Sequence, residues 1–375
     1  QYLDSMLEDI LAEAIQIEQN PAPTFHELAR ANHVLSRFGN LGLTDTRIDP
    51  LYNASGRLPG RDPQAPALLV SAHTDTVFAA GTDLTTRREG DRIYGPGLGD
   101  NSLGVAALIA LADILRQFRV RPQADIWFLA NSREEGLGDL GGIRAFYDQH
   151  AGQLGMAIVL EGLALGYVYH AGIAVRRLHI TCQTPGGHSW KHFGQPNAIH
   201  SLLRLGVQVA NLNPPQTPRT TFNIGLIEGG HSVNSLATDA GLYLDLRSQD
   251  PAALADLEQQ VMAIVERCRA EEGDRVRFST KVVGDRPAGL IDQDHPLVQG
   301  AGAALRAVSI EPTYDSGSTD ANLLLAEGVP AVTIGITRGG NAHRPDEYIE
   351  IAPLAAGMRQ LVLLTLAAAA WEPTP

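Results

Sequence analysis

Apolar side chains recur along this chain with two different rhythms, and the change of rhythm divides it. At the N-terminus QYLDSMLEDILAEA carries its acids at helical spacing, and a second helical stretch runs from about His26 to Phe38. The run ALLVSA, Ala67 to Ala72, is short, continuously apolar and flanked by prolines, which predicts a buried strand ending at His73. A helix over Gly104 to Phe118, a strand over Ala124 to Ala130, a helix over Gly142 to His150 and a strand over Met156 to Leu160 follow. Such alternation predicts an α/β sheet.

From about Arg176 the strands become amphipathic. RRLHITCQT is followed by a helix from Ala198 to Leu212, the strands TTFNIGLIEGG and GLYLDLRSQ, a helix from Pro251 to Glu272 and the strand VRFSTKVV. Strand, helix, two strands, helix, strand is the split βαβ arrangement, which predicts an inserted domain over Ala174 to Arg286. Buried strand and helix signals return after Pro287, including AVTIGI at Ala331 to Ile336, and complete the sheet begun earlier. The expected organisation is therefore a first part at 1–173, the insertion at 174–286 and a second part at 287–375.

Composition narrows the function. With 375 residues and 44% hydrophobic side chains, the chain is long enough for two cores. Its 42 acidic and 29 basic residues give a formal charge of −13, which repels phosphate backbones and anionic lipids, so neither nucleic acid nor membrane is an expected partner. The longest apolar stretch, Leu361 to Trp371, falls short of the roughly 20 residues a membrane span needs and predicts a packed terminal helix. Two separated cysteines, Cys182 and Cys268, imply neither a disulfide scaffold nor a thiolate metal site. The first residues lack the basic start and apolar block of a signal peptide, making the cytoplasm the expected location.

Candidate chemistry collects at predicted strand ends, where α/β sites form. His73 lies two residues before Asp75, a spacing that suits a metal ligand with a carboxylate on its other ring nitrogen, or a simple Asx turn. Asp100 follows the glycine-dense YGPGLG ahead of a helix; the stretch lacks the lysine and hydroxyl of a phosphate loop, leaving helix capping by Asp100 or Asn101 as the alternative to metal binding. Glu134 and Glu135 follow another strand, and adjacent acids at such a mouth repel unless a cation holds them or solvent screens them. Glu161 directly follows MAIVL, and His343 lies in a polar loop after AVTIGI.

In order, HTDTV, GPGLGDNSLG, NSREEG, LEG and NAHRPDEY resemble the metallopeptidase family that includes glutamate carboxypeptidase, aminoacylase, succinyl-diaminopimelate desuccinylase and tripeptidase T. The resemblance spans nearly the whole chain. It implies a zinc-exopeptidase-like, three-layer α/β/α catalytic domain with an inserted ferredoxin-like lid and dimerisation domain. By matching position, His73, Asp100 and Glu161 would hold one divalent ion, and Asp100, Glu135 and His343 a second, with Asp75 orienting His73. Oxygen and imidazole donors suit zinc, and manganese or cobalt also fit. Glu134 would be the general base toward water. His188 in PGGHSW, preferred to the nearby His192, would reach a partner subunit's site in a homodimer and help hold the oxyanion.

The resemblance also assigns substrate contacts to Asn223 and Arg247, the latter offering a bidentate fork for a carboxylate or else serving a structural ion pair. Gly339, Gly340 and the SGSTDANL loop around Asp320 match pocket loops. Glu161, rather than aspartate, points to cleavage of an amide in a small peptide or N-acyl amino acid with a free carboxylate. Aminopeptidase action on di- or tripeptides is the alternative, because PTFHE and SGSTDA look like the tripeptidases. A catalytically silent metal-binding relative is the alternative of another class.

Overall fold

Continuous apolarity over Ala67–His73 does produce a strand buried on both faces: in the computed structural model, which describes residues 2–370, all seven of its residues are buried. Ile126–Asn131 and Leu154–Glu161 flank it in parallel, and Ala331–Gly335 runs parallel to Leu154–Glu161. All four strands therefore end at one edge, at His73, Asn131, Glu161 and Gly335. Leu68, Val70 and Ala72 join one core with Leu108, Leu111 and Met358, while Leu69 joins another with Leu129, Ile143 and Phe146. Alternate side chains thus bond the sheet to two helical layers, each buried leucine contributing about 2 kcal/mol. The strand ends are carried on a rigid frame.

The full sheet has nine strands, ordered Thr44–Ile48, Ala54–Leu58, Ile126–Asn131, Ala67–His73, Leu154–Glu161, Ala331–Gly335, Tyr167–Gly172 and Gly289–Leu290, with Thr313–Gly317 also pairing on Tyr167–Gly172. The central strands are parallel and the flanks largely antiparallel, so the sheet is mixed. Leu98–Gln117 is the one helical stretch, among the described residues, with the length and apolarity of a membrane span, and 89% of its apolar window is buried inside the fold. The terminal helix runs Leu354–Ala369; Trp371, expected at its end, lies outside the described residues.

The chain forms two compact units, one joining the residues up to Gly172 with those from Gly289 onward and the other Ile173–Ala288. The smaller unit has four antiparallel strands in the order Thr220–Gly229, Asp239–Ser248, Ala174–Gln183, Arg277–Arg286. Its helices Ala198–Ala210 and Pro251–Glu272 pack Leu202, Leu205, Val261 and Val265 against Leu178, Ile180, Leu242 and Leu244. Strand alternation then turns Arg177, His179, Tyr243, Asp245 and Arg247 to the opposite face. Both helices begin where the sequence caps them, with Asn197 accepting from the Ile199 and His200 amides and Asp250 from Ala252 ahead of Pro251.

Candidate metal centre

Five side chains from five segments converge on one edge of the larger sheet. His73 ends its strand and sets Nε2 3.1 Å from Asp100 Oδ1 and 3.7 Å from Glu161 Oε2. The other oxygen of Asp100, Oδ2, lies 3.1 Å from His343 Nε2, which is itself 3.0 Å from Glu135 Oε1. His73, Asp100 and Glu161 bring one ligand atom each within 4.8 Å of one another, and so do Asp100, Glu135 and His343. His73, Glu134 and Glu135 form a third such group, which puts Glu134 beside the same cluster. Asp100 is the only residue common to the first two groups and turns a different oxygen to each histidine.

Local structure explains these placements. Asp100 sits in the turn Leu98–Ser102 with non-helical backbone angles, and its peptide bond to Asn101 is cis. Neither residue caps the following helix, whose N-cap is Ser102 with no side-chain cap bond. Asn101 instead donates to the Leu160 carbonyl at 2.8 Å and accepts from the Gly162 amide at 2.8 Å, gripping the chain on both sides of Glu161. Glu134 and Glu135 are buried rather than solvated. Asp75, fully buried, accepts the Glu134 amide at 2.8 Å and the Glu135 amide at 2.9 Å, and takes a hydrogen bond from the Thr24 hydroxyl. His73 Nδ1 is closer to the Asp75 carbonyl oxygen, 3.1 Å, than to its carboxylate, 3.6 Å. Asp75 thus orients His73 chiefly through its backbone and spends its carboxylate on the Glu134–Glu135 turn.

Four acids and two imidazoles in one cluster, buried at His73, Glu134 and Glu135 and exposed at His343, shift each other strongly. Burial lifts the carboxyls of Glu135 and Glu161 to about 7 each, with the charge of Asp100 adding to both. Hydrogen bonds to Asp100 and Glu135 raise His343 to about 10. Burial opposes ionisation of Asp100, yet the two histidines hold it well below the usual carboxylate range. This oxygen and nitrogen donor set, with one shared carboxylate, fits a pair of divalent ions.

Other predicted residues have different surroundings. Asp320 is fully buried, accepting from Asn131 Nδ2 at 2.7 Å, and burial with the nearby Glu134 charge raises its carboxyl well above the ordinary value. Gly339 and Gly340 pair with Ile349 and Tyr348 in a short ladder; a Cβ on Gly339 would lie 2.1 Å from the Tyr348 carbonyl oxygen, so the neighbouring strand by itself requires glycine there. In the smaller unit Arg247 places its fork on Asp245, at 2.8 and 3.1 Å, and Arg177 reaches the same carboxylate at 3.1 Å. Arg247 therefore does make the structural ion pair. Asn223 is exposed on the strand next to Asp245. His188 is exposed; its Nδ1 accepts from the Trp190 amide at 3.2 Å, while the His188 amide donates to His192 Nδ1 at 2.9 Å. His192 thus braces the loop that presents His188.

Pattern reading missed Glu347, Asn101 and Glu27, all buried and all accepting backbone amides beside the cluster. Glu27 takes the Arg133 amide at 3.1 Å, and Glu347 takes those of Gly99 and Asp100 at 2.7 and 2.9 Å. The only sequence signal for Glu347 is its place one helical turn's length after His343 in NAHRPDEY.

Residues 69–367 match peptidase family M20/M25/M40. The chain is similar to carboxypeptidase G2 of Pseudomonas sp. (25% identity, covering 92% of this chain and 85% of that protein) and to acetylornithine deacetylase of Edwardsiella ictaluri (28%, 80% and 80%). Among solved structures it shares its fold with a tripeptidase of Staphylococcus aureus (TM-score 0.78, 18% identity, 97% of this chain and 98% of that one). A dinuclear metal-binding M20 peptidase of Bacillus subtilis also has this fold (TM-score 0.68, 15% identity, 97% and 99%). With most of its length matched and the clustered ligand groups at the sheet edge, this chain belongs to peptidase family M20/M25/M40, a family of metal-dependent hydrolases.

Proposed function

We propose that this protein is a dinuclear metal-dependent hydrolase that cleaves the amide bond of a small peptide or N-acyl amino acid carrying a free carboxylate. The observation that carries the reading is Asp100 sharing its two oxygens between the His73–Glu161 and Glu135–His343 groups. Two divalent ions, with zinc the first choice and manganese or cobalt also suited, would supply the positive charge that polarises the carbonyl and acidifies water. His73, Asp100 and Glu161 would hold one and Asp100, Glu135 and His343 the other.

Glu134 lies in the same cluster but outside both shared groups, so its carboxylate is the one left to take the proton from attacking water and return it to the leaving nitrogen. Asp75 fixes the turn that aims it. On the smaller unit, His188 Nδ1 accepts from the Trp190 amide, which leaves Nε2–H as the ring's free donor, suited to a developing oxyanion. Reaching a site in a partner subunit would require the homodimer implied by the resemblance. Arg247, on the strand paired with that of Asn223, carries the guanidinium fork that suits a substrate carboxylate. Carboxypeptidase G2 and acetylornithine deacetylase among the relatives support the choice of substrate class.

The test is release of free amine by zinc- or manganese-loaded protein from a panel of N-acyl amino acids, N-blocked peptides with a free C-terminus, dipeptides and tripeptides. Cleavage of N-blocked substrates with a free carboxylate is expected. Cleavage confined to substrates with a free amine would overturn the assignment in favour of an aminopeptidase, and two bound ions without turnover would favour a silent relative.

A further inference from the structure

The loop bearing Asp100 has an unusual support. Glu347 is completely buried and accepts three backbone amides from one turn: Gly99 at 2.7 Å and Asp100 at 2.9 Å through Oε1, and Gly97 at 3.3 Å through Oε2. Gly99 is packed so closely that a Cβ would lie 2.7 Å from Leu163 and 3.2 Å from Glu347 Oε1. The same short segment, His343 to Glu347, supplies both a direct partner of Asp100 Oδ2 and the clamp on the Asp100 amide. Tyr348, the next residue, pairs in register with Gly340 on one side and Tyr94 on the other, so the clamp is anchored in the small sheet of Gly339–Gly340, Tyr348–Glu350, Arg92–Tyr94 and Arg87–Glu89.

We infer that Glu347 is a positioning residue for the bridging carboxylate, holding the Asp100 turn so that Oδ1 and Oδ2 serve two ions at once. This rests on the dinuclear reading above. A bridging ligand must satisfy two directions simultaneously, so a small rotation of the turn costs more at a shared carboxylate than at a ligand with one partner. Conserving the three amide bonds matters because each is a buried donor that would otherwise lack a partner. Removal of groups that orient metal ligands typically weakens metal binding about 10- to 100-fold.

Co²⁺ titration followed by its visible absorption, together with bound-metal stoichiometry after gel filtration, reads this without substrate. Wild type is expected to take up two ions. Glu347→Ala is expected to keep its circular dichroism but bind the second ion at least about tenfold more weakly, with an altered Co²⁺ spectrum. Glu347→Gln, whose amide oxygen can still accept from Gly99 and Asp100, is expected to restore most of the affinity, and Glu347→Asp, one methylene shorter, to restore less. If Glu347→Ala does not fold, the Gln and Asp variants decide the matter, and equal affinity in the two would overturn the inference. Two ions bound with wild-type affinity and spectrum in Glu347→Ala, with only thermal stability lowered, would overturn the positioning role alone. Fewer than two ions in wild type would overturn the dinuclear reading and the clamp with it.

Discussion

The two compact units handle polar groups in opposite ways. In the larger unit the central strands are buried on both faces, and the candidate ligands gather at the edge where four parallel strands end. Three buried side chains support candidate residues there: Asp75 grips the Glu134–Glu135 turn, Asn101 brackets Glu161, and Glu347 clamps Asp100. In the smaller unit one sheet face packs on helices and the other carries polar and aromatic side chains, and His188, Asn223 and Arg247 are exposed. Buried, over-determined groups serve geometry that must not vary, and exposed ones serve contacts made only when a substrate or partner arrives.

The largest effect expected from this contrast is at Glu134. Glu134→Gln keeps the shape and should lower kcat by about 10³-fold while metal content, measured by mass spectrometry, stays at the wild-type value. Parallel loss of metal would instead make Glu134 a ligand. A smaller effect is expected at His188, where His188→Ala should lower kcat by about 10²-fold with metal content and melting temperature unchanged, since the ring is exposed and makes only local loop bonds. An unchanged kcat would remove the smaller unit from the chemistry.

The smallest effect concerns a buried acid outside the candidate ligand groups. Glu18 is fully buried, neither of its carboxylate oxygens has a hydrogen-bond partner, and burial raises its carboxyl to about 8. A folded-state pKa above the unfolded one contributes stability below the unfolded value, about 4.5, that is lost as pH rises through about 8. The melting temperature of Glu18→Gln relative to wild type should therefore climb by a few degrees between pH 5 and pH 8.5 and then level off. A constant difference across that range, read by calorimetry, would show that Glu18 is not titrating in the fold.

Some candidate ligand positions were legible because they follow an apolar run long enough to be a buried strand, where a polar group has few bland explanations, whereas Asp100 and His343 lie in loops and were placed by the resemblance. His73 after ALLVSA and Glu161 after MAIVL are the clearest cases. The supports were not legible, because Glu347 lies 247 residues from the amide of Asp100 and Glu27 lies 106 from that of Arg133, separations that only the topology closes. Polar strands were missed for a related reason: TDTRI at Thr44–Ile48 is a largely exposed edge with no apolar face to announce it. The strand packed against Gly339 was equally illegible, since close approach by a paired strand leaves the same glycine in the sequence as close approach by a ligand.

The central claim is that Asp100 bridges two ions. Anomalous diffraction from zinc-soaked crystals, recorded on both sides of the zinc edge, tests it most directly. Two peaks are expected, one among His73, Asp100 and Glu161 and one among Asp100, Glu135 and His343. A single peak, or a pair not sharing Asp100, would contradict it.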